Sequence, residues 1–265
     1  MDLKVEFTYK KYENGIIAIT APMKEQIYLV KGKEKALLID NGMGIGSLRK
    51  YVNNLCDLPL MMINTHGHPD HAGGNIEFEH AYMHPSDFEL YQQMCTKEFR
   101  TGDIRAVFQD SGALYESNLL DYVYNLLPIE EGDTINLGDR CIDIYSVPGH
   151  TYGSLVLYDN KSKTIFTGDT IGIGDTWLYL EYCASLKIYC NSLERLKDIN
   201  LDISMILSGH MPNESRSDLL NRKIDCVKKI ISGKEIGKPV KTFAGEGLRY
   251  EYEGTSIIYN PENIF

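Results

Sequence analysis

The chain has 265 residues, 43% of them hydrophobic and 24% charged, and a net charge of −10 at pH 7. That composition is globular and long enough for a sizeable core, and its acidic balance works against the counterion release that drives nucleic-acid binding, so no nucleic-acid partner is expected. The first residues lack an apolar signal-peptide core and no segment approaches the roughly 18 apolar residues of a membrane span, which points to a cytoplasmic protein with no membrane partner.

Taken in chain order, the first third reads as β-rich. Residues 16–20, 26–30 and 36–40 are short runs of Ile, Leu and Val, the last two joined by a lysine-rich turn at 31–35. Gly42, Gly44 and Gly46 follow, a Gly-x-Gly-x-Gly spacing that does not match a dinucleotide fingerprint and reads as a connector. A helix is expected from Ser47, its N-cap, to about Leu55. Residues 60–64 form a short apolar strand that runs into Thr65-His66-Gly67-His68-Pro69-Asp70-His71, and residues 80–84 form another. Residues 86–127 are polar and rich in Tyr, with helical spacing at Phe88, Leu90, Tyr91 and Met94 and again over 114–127. They read as a helical insertion or lid. Strand patterns resume at 134–137, 141–147, 154–158 and 164–167, with a helix over 186–196 and a strand over 205–207. An amphipathic helix follows at 215–232, and two short strands, 249–251 and 256–259, close the chain. Strands in clusters, without strict βαβ alternation, favour packed sheets covered by helices in a single α/β domain over residues 1–265. The six cysteines carry no Cys-x-x-Cys pair and read as reduced thiols.

Histidine carries the chemistry. Three of the seven fall within six residues, beside Asp70, and neutral imidazole and carboxylate are the ligands that suit zinc and related divalent ions. The remaining candidates share one context, an apolar run, a glycine and then the ligand: Val147-Pro148-Gly149-His150, Phe166-Thr167-Gly168-Asp169 and Leu207-Ser208-Gly209-His210. Ligands at strand ends along one edge of a sheet pair can converge. His80 and His84 fit no such position and read as structural.

The His-x-His-x-Asp-His loop with its downstream Gly-His, Gly-Asp-Thr and Gly-His resembles the metallo-β-lactamase fold superfamily over roughly residues 26–212. The resemblance implies a four-layer αββα sandwich with two divalent metal ions at one edge, zinc first, with manganese or iron(II) as alternatives. It implies that His66, His68 and His150 hold one ion and Asp70, His71 and His210 the other, with Asp169 bridging them and Asp40 bracing the metal loop from behind. The activity it implies is hydrolysis of a small-molecule ester, thioester or lactone by a metal-bridging hydroxide, with Asp70 shuttling the proton. A mononuclear-iron persulfide dioxygenase-like oxidoreductase and a phosphodiesterase are the alternatives, and a homodimer is allowed. A true β-lactamase is disfavoured by Asp169 and by the lack of an export signal; an acyl-homoserine lactonase is disfavoured because Gly172 stands where that group carries a tyrosine. Trp177, Tyr179 and Tyr182 are expected to wall the substrate pocket together with the insertion.

Overall fold

The computed structural model describes residues 5–109, 112–121, 125–210 and 218–265. In chain order the elements are β1 (Thr8–Lys11), β2 (Ile16–Thr20), β3 (Gln26–Lys31), β4 (Ala36–Ile39), α1 (Leu48–Asn53), β5 (Leu60–Ile63), the one-turn α2 (Pro69–Ala72) and β6 (Ala81–Met83). Then come α3 (Phe88–Met94), α4 (Lys97–Phe108), α5 (Gly112–Ser117), β7 (Leu126–Pro128), β8 (Thr134–Asn136), β9 (Cys141–Ser146), β10 (Leu155–Asp159), β11 (Thr164–Phe166) and β12 (Asp175–Leu178). The chain ends with α6 (Leu186–Asp198), β13 (Met205–Leu207), α7 (Asp218–Ile231), β14 (Lys238–Thr242), β15 (Gly245–Tyr252) and β16 (Thr255–Tyr259).

The strands form three sheets. The first has seven strands in sequence order, antiparallel from β1 to β4 and parallel from β4 to β7. The second has the order β13-β11-β10-β9-β8, with β11 and β13 parallel and the other pairs antiparallel. Period-two alternation divides their side chains between layers. Ile17, Ile19, Ile27 and Leu29 face one way, into a cluster with Leu48 and Val52 of α1 and Tyr91 of α3. Ile16, Ala18, Tyr28 and Val30 face the other way and meet Ile142, Ile144, Leu155, Leu157 and Phe166 of the second sheet. The far side of that sheet, at Val156, Tyr158, Ile165 and Ile206, packs on α6 and α7. The order of layers is helix, sheet, sheet, helix, the αββα sandwich expected from the sequence.

Several expectations are corrected. The helical stretch read over 114–127 ends at Ser117, and Leu126 and Leu127 instead lie in β7, paired in parallel with β6. Residues 122–124 of that stretch, and residues 215–217 of the last helix, lie outside the described residues. The two closing strands belong to a third, four-stranded sheet, β12-β16-β15-β14, which draws Asp175–Leu178 into a parallel pair with β16. Ser47 caps α1 as expected, its hydroxyl accepting from the Lys50 amide. All six cysteines are free, and five are buried. Among the described residues no helix is long and apolar enough to cross a membrane.

Arg100 of α4 is fully buried and locks that helix to the neighbouring loops. Its guanidinium donates to the backbone carbonyls of Met43, Gly73 and Leu120. Gly44, with φ +78°, passes so close that a β-carbon there would lie 2.6 Å from the guanidinium. An Arg100→Met variant keeps the aliphatic stem but leaves three acceptors without donors. It is expected to lose about 3 kcal/mol of stability, read as a lower urea midpoint at unchanged slope.

Candidate metal centre

The directions of the strands explain why the candidate ligands meet. Within the first sheet β4 and β5 run in parallel, so Asp40 and the 66–71 loop leave the same edge. Within the second, β9 and β11 each run antiparallel to β10, and β13 runs parallel to β11. His150, Asp169 and His210 follow the C-terminal ends of those three strands and therefore share an edge. The two edges are stitched together: the Leu155 amide donates to the Thr65 carbonyl at 2.8 Å, the Gln26 amide to the Gly209 carbonyl at 2.6 Å, and the Tyr28 hydroxyl to the Ser208 carbonyl at 2.6 Å.

The seven candidate ligands fall into two adjoining groups, His66, His68 and His150, and Asp70, His71, Asp169 and His210; within each, the ligand atoms lie within 4.8 Å of one another. In the first, His68 Nδ1 lies 3.1 Å from His66 Nε2 and 2.9 Å from His150 Nε2. Hydrogen bonds on the outer side of the His150 and His66 rings fix their tautomers, whereas the outer Nε2 of His68 is buried without a partner. His150 Nδ1 donates to the Trp177 carbonyl at 2.7 Å, which leaves the Nε2 lone pair facing inward. The Thr65 hydroxyl donates to Asp40 and so accepts from His66 Nδ1 at 3.1 Å, again freeing Nε2. Two inward lone pairs and His68 Nδ1 thus converge with at most one proton among them. Four ligands spaced tetrahedrally at about 2.0–2.1 Å from a zinc ion would lie roughly 3.3 Å apart, close to the spacings found here.

In the second group, His71 Nδ1 donates to Asp40 Oδ2 at 2.8 Å, presenting Nε2 to His210 Nε2 at 3.3 Å and to Asp169 Oδ1 at 3.2 Å. His210 Nε2 lies 3.0 Å from Asp169 Oδ2 and 3.2 Å from Asp70 Oδ2. Asp169 also reaches across, its Oδ2 lying 3.6 Å from His150 Nε2. The donor set, two carboxylates and five imidazoles with their free faces turned on one another, fits a pair of divalent cations. A buried Asp169 Oδ1 without a hydrogen-bond partner reinforces that fit.

Electrostatics differ between the groups. Burial, then the neighbouring imidazoles, holds His66 well below the usual histidine range, and burial with His150 pushes His68 down to about 3. His71 is held well above its usual value: burial opposes this, but Asp169, Asp70 and Asp40 outweigh it. Desolvation likewise opposes protonation of His210, while Asp169 and Asp70 raise it to about 10. Its side chain is 45% accessible, so water screens part of that effect. Burial works against ionisation of Asp70 and Asp169, yet His71 and His210 keep both carboxyls well below the ordinary carboxylate range.

A cavity of about 860 Å³ opens over both groups. Its lining includes the apolar side chains of Met94 of α3, Phe99 and Val107 of α4, and Trp177 and Phe243, whose rings lie 5.5 Å apart. Tyr182 also borders the cavity, and its hydroxyl donates to Gln93 of α3 at 2.8 Å. Tyr179 is placed outside the lining, buried, with its hydroxyl on Thr242 of the β14–β15 hairpin. His80 is half-exposed beside Glu79, and His84 accepts from the Ser86 amide; neither joins the centre.

Three site residues escaped sequence reasoning. Glu25 is buried on the cavity wall, where burial and then Asp70 push its carboxyl up to about 7. Asp103, also on the wall, is raised to about 7 by the same two causes. Asp87 is buried behind the centre and holds the loops of two ligand segments. None sits in a motif; the one local signal was Pro85-Ser86-Asp87 before a helix, which reads as a cap.

Comparison with known proteins places this geometry. The profile of the metallo-beta-lactamase superfamily matches residues 22–210. The acyl-coenzyme A thioesterase MBLAC2 of Bos taurus is 30% identical, across 91% of this chain and 93% of its own. The hydroxyacylglutathione hydrolase GloC of Haemophilus influenzae is 26% identical, across 74% of this chain and 89% of its own. The solved structure of TTHA1623 in a di-iron-bound form superposes with a TM-score of 0.57 at 26% identity, covering 76% of this chain and 94% of its own.

Proposed function

Because the chain belongs to the metallo-beta-lactamase superfamily, we propose that it is a dinuclear metal hydrolase that cleaves a small-molecule thioester, within the broader set of esters and lactones. One observation carries this reading: two adjoining ligand groups open onto the same cavity, with the Asp169 carboxylate within 3.6 Å of ligand nitrogens in both. The preference for a thioester comes from the MBLAC2 relative, named an acyl-coenzyme A thioesterase.

His66, His68 and His150 would hold one ion, and Asp70, His71 and His210 the other, with Asp169 between. Zinc is the first choice for imidazole and carboxylate ligands, with manganese or iron as alternatives. Two such ions supply Lewis acidity toward the scissile carbonyl and make water acidic enough to react near neutral pH. The protein does the rest. Asp40 accepts from the Thr65 amide and hydroxyl and from His71 Nδ1, so one carboxylate orients ligands of both groups. Asp70, kept ionised by His71 and His210, offers a carboxylate oxygen that would accept a hydrogen bond from the attacking water, orienting it and relaying its proton onward without retaining it. With substrate filling the cavity, the apolar walls would keep bulk water from the centre and strengthen these charges.

Removing metal with a chelator is expected to abolish thioester hydrolysis, and adding zinc or manganese back is expected to restore it. Activity that survives complete chelation overturns the proposal. Metal analysis separates it from the mononuclear-iron oxygenase: about two ions per chain supports the hydrolase, one iron supports the oxygenase. The four-residue second group favours two.

A further inference from the structure

We propose that Asp87 is a positioning residue dedicated to the His66, His68 and His150 group, setting that group as a unit apart from the other. The inference rests on the dinuclear reading above. Asp87 precedes α3 and is 1% exposed. Its Oδ2 accepts from the Gly67 amide at 2.9 Å and the Thr151 hydroxyl at 2.7 Å, and its Oδ1 accepts from the Gly153 amide at 2.7 Å. Gly67 lies between His66 and His68, and Thr151 follows His150. One side chain therefore ties the His66–His68 end of the metal loop to the His150 loop, 82 residues apart in sequence, while Asp70 and His71 lie beyond it in α2.

Packing leaves those loops little slack. A β-carbon on Gly153 would lie 2.5 Å from the Asp87 carboxyl carbon, and one on Gly67 would lie 2.9 Å from the Asp87 carbonyl oxygen. Both glycines let backbone close onto Asp87. Nothing Asp87 bonds belongs to the segments bearing Asp169 or His210. His71 is oriented instead by Asp40, and the His71 carbonyl accepts from the Asn41 amide and the Asn64 side chain. The same Asp87 begins the helix that carries Met94 to the cavity wall, so the first group and one cavity wall share an anchor.

The test is cobalt(II) binding to the metal-free full chain, followed by visible absorption and calorimetry. An Asp87→Asn side chain has one oxygen for three donors, and its amide group meets at least one of them. It is expected to weaken one of two cobalt equivalents by about 10- to 100-fold, the usual size for losing a partner behind a ligand, and to leave the other within about twofold. Combined with His210→Ala it is expected to leave no tight ion; combined with His68→Ala it is expected to match His68→Ala alone. Weakening of both equivalents alike, or of neither, overturns the assignment. Should circular dichroism show Asp87→Asn unfolded, Thr151→Val removes a single donor and is expected to shift the same equivalent severalfold; an unselective shift there also overturns it. Wild-type protein that binds no cobalt overturns the dinuclear reading and this assignment together, whereas two wild-type equivalents with an unselective Asp87→Asn overturn the assignment alone.

Discussion

Replacing Asp169 by asparagine is expected to cut thioester hydrolysis by about three orders of magnitude or more while leaving the fold intact. The carboxylate stands within 3.2 Å of His71, 3.0 Å of His210 and 3.6 Å of His150, so its oxygens reach ligand nitrogens of both groups. Asparagine keeps the shape but removes a negative charge and turns an amide donor toward cations. Two divalent ions would then share a single carboxylate, Asp70, and the lost stabilisation of transition-state charge is worth several kcal/mol. Roughly 4 kcal/mol corresponds to about a thousandfold in rate. The fold survives because Asp169 sits at a strand end on the cavity and not in a hydrophobic cluster. His80→Ala, on a half-exposed ring outside both ligand groups, is the matched control and is expected to be silent. Metal content, kcat and circular dichroism measured side by side decide the matter. Asp169→Asn with two tightly bound ions and activity within tenfold of wild type would remove Asp169 from the centre.

What could be read from the sequence divides along the line between local and long-range causes. His66 to His71 follow a buried strand in one short loop, and His150, Asp169 and His210 each follow an apolar run and a glycine. Such signals are local, and the side chains they mark are brought together. The helix cap at Ser47 was readable for the same reason. The β7 strand was not, because three residues at the end of a sheet carry no periodicity that separates them from a helical turn. Trp177 borders the cavity and Tyr179 does not: β12 ends at Leu178, and the Tyr179 hydroxyl is held by Thr242, 63 residues later in the chain, a contact no local pattern announces. Asp87 was hidden for an equivalent reason: two of its three donors, on Thr151 and Gly153, lie 64 and 66 residues away.

The two ligand groups are expected to take up metal with different sensitivity to pH, because they hold different numbers of protons when empty. A ligand must be unprotonated to bind, so an imidazole whose proton affinity is raised must release a proton first, and its apparent affinity climbs as pH rises toward that group's pKa. Each proton released makes affinity rise tenfold per pH unit. In the second group His71 is fully buried among three carboxylates and held well above its usual range, and His210 is raised to about 10. Both carry protons at pH 7. His210 is the more exposed, so its share is the smaller, and the slope is expected to lie between about one and two protons per ion. In the first group His66 lies well below its usual range and His68 at about 3, so both are already neutral and give up no proton between pH 5 and 8. At pH 6 one cobalt equivalent is therefore expected to bind tightly and the other weakly, and by pH 8.5 the second is expected to approach the first. His68→Ala isolates the pH-sensitive equivalent and His210→Ala the insensitive one. Calorimetry in buffers of differing protonation enthalpy counts the protons directly. The same slope for both equivalents would mean that Asp40, Asp70 and Asp169 do not hold protons on His71 and His210. The opposite order, with the first group as the pH-sensitive one, would mean that burial does not keep His66 and His68 neutral.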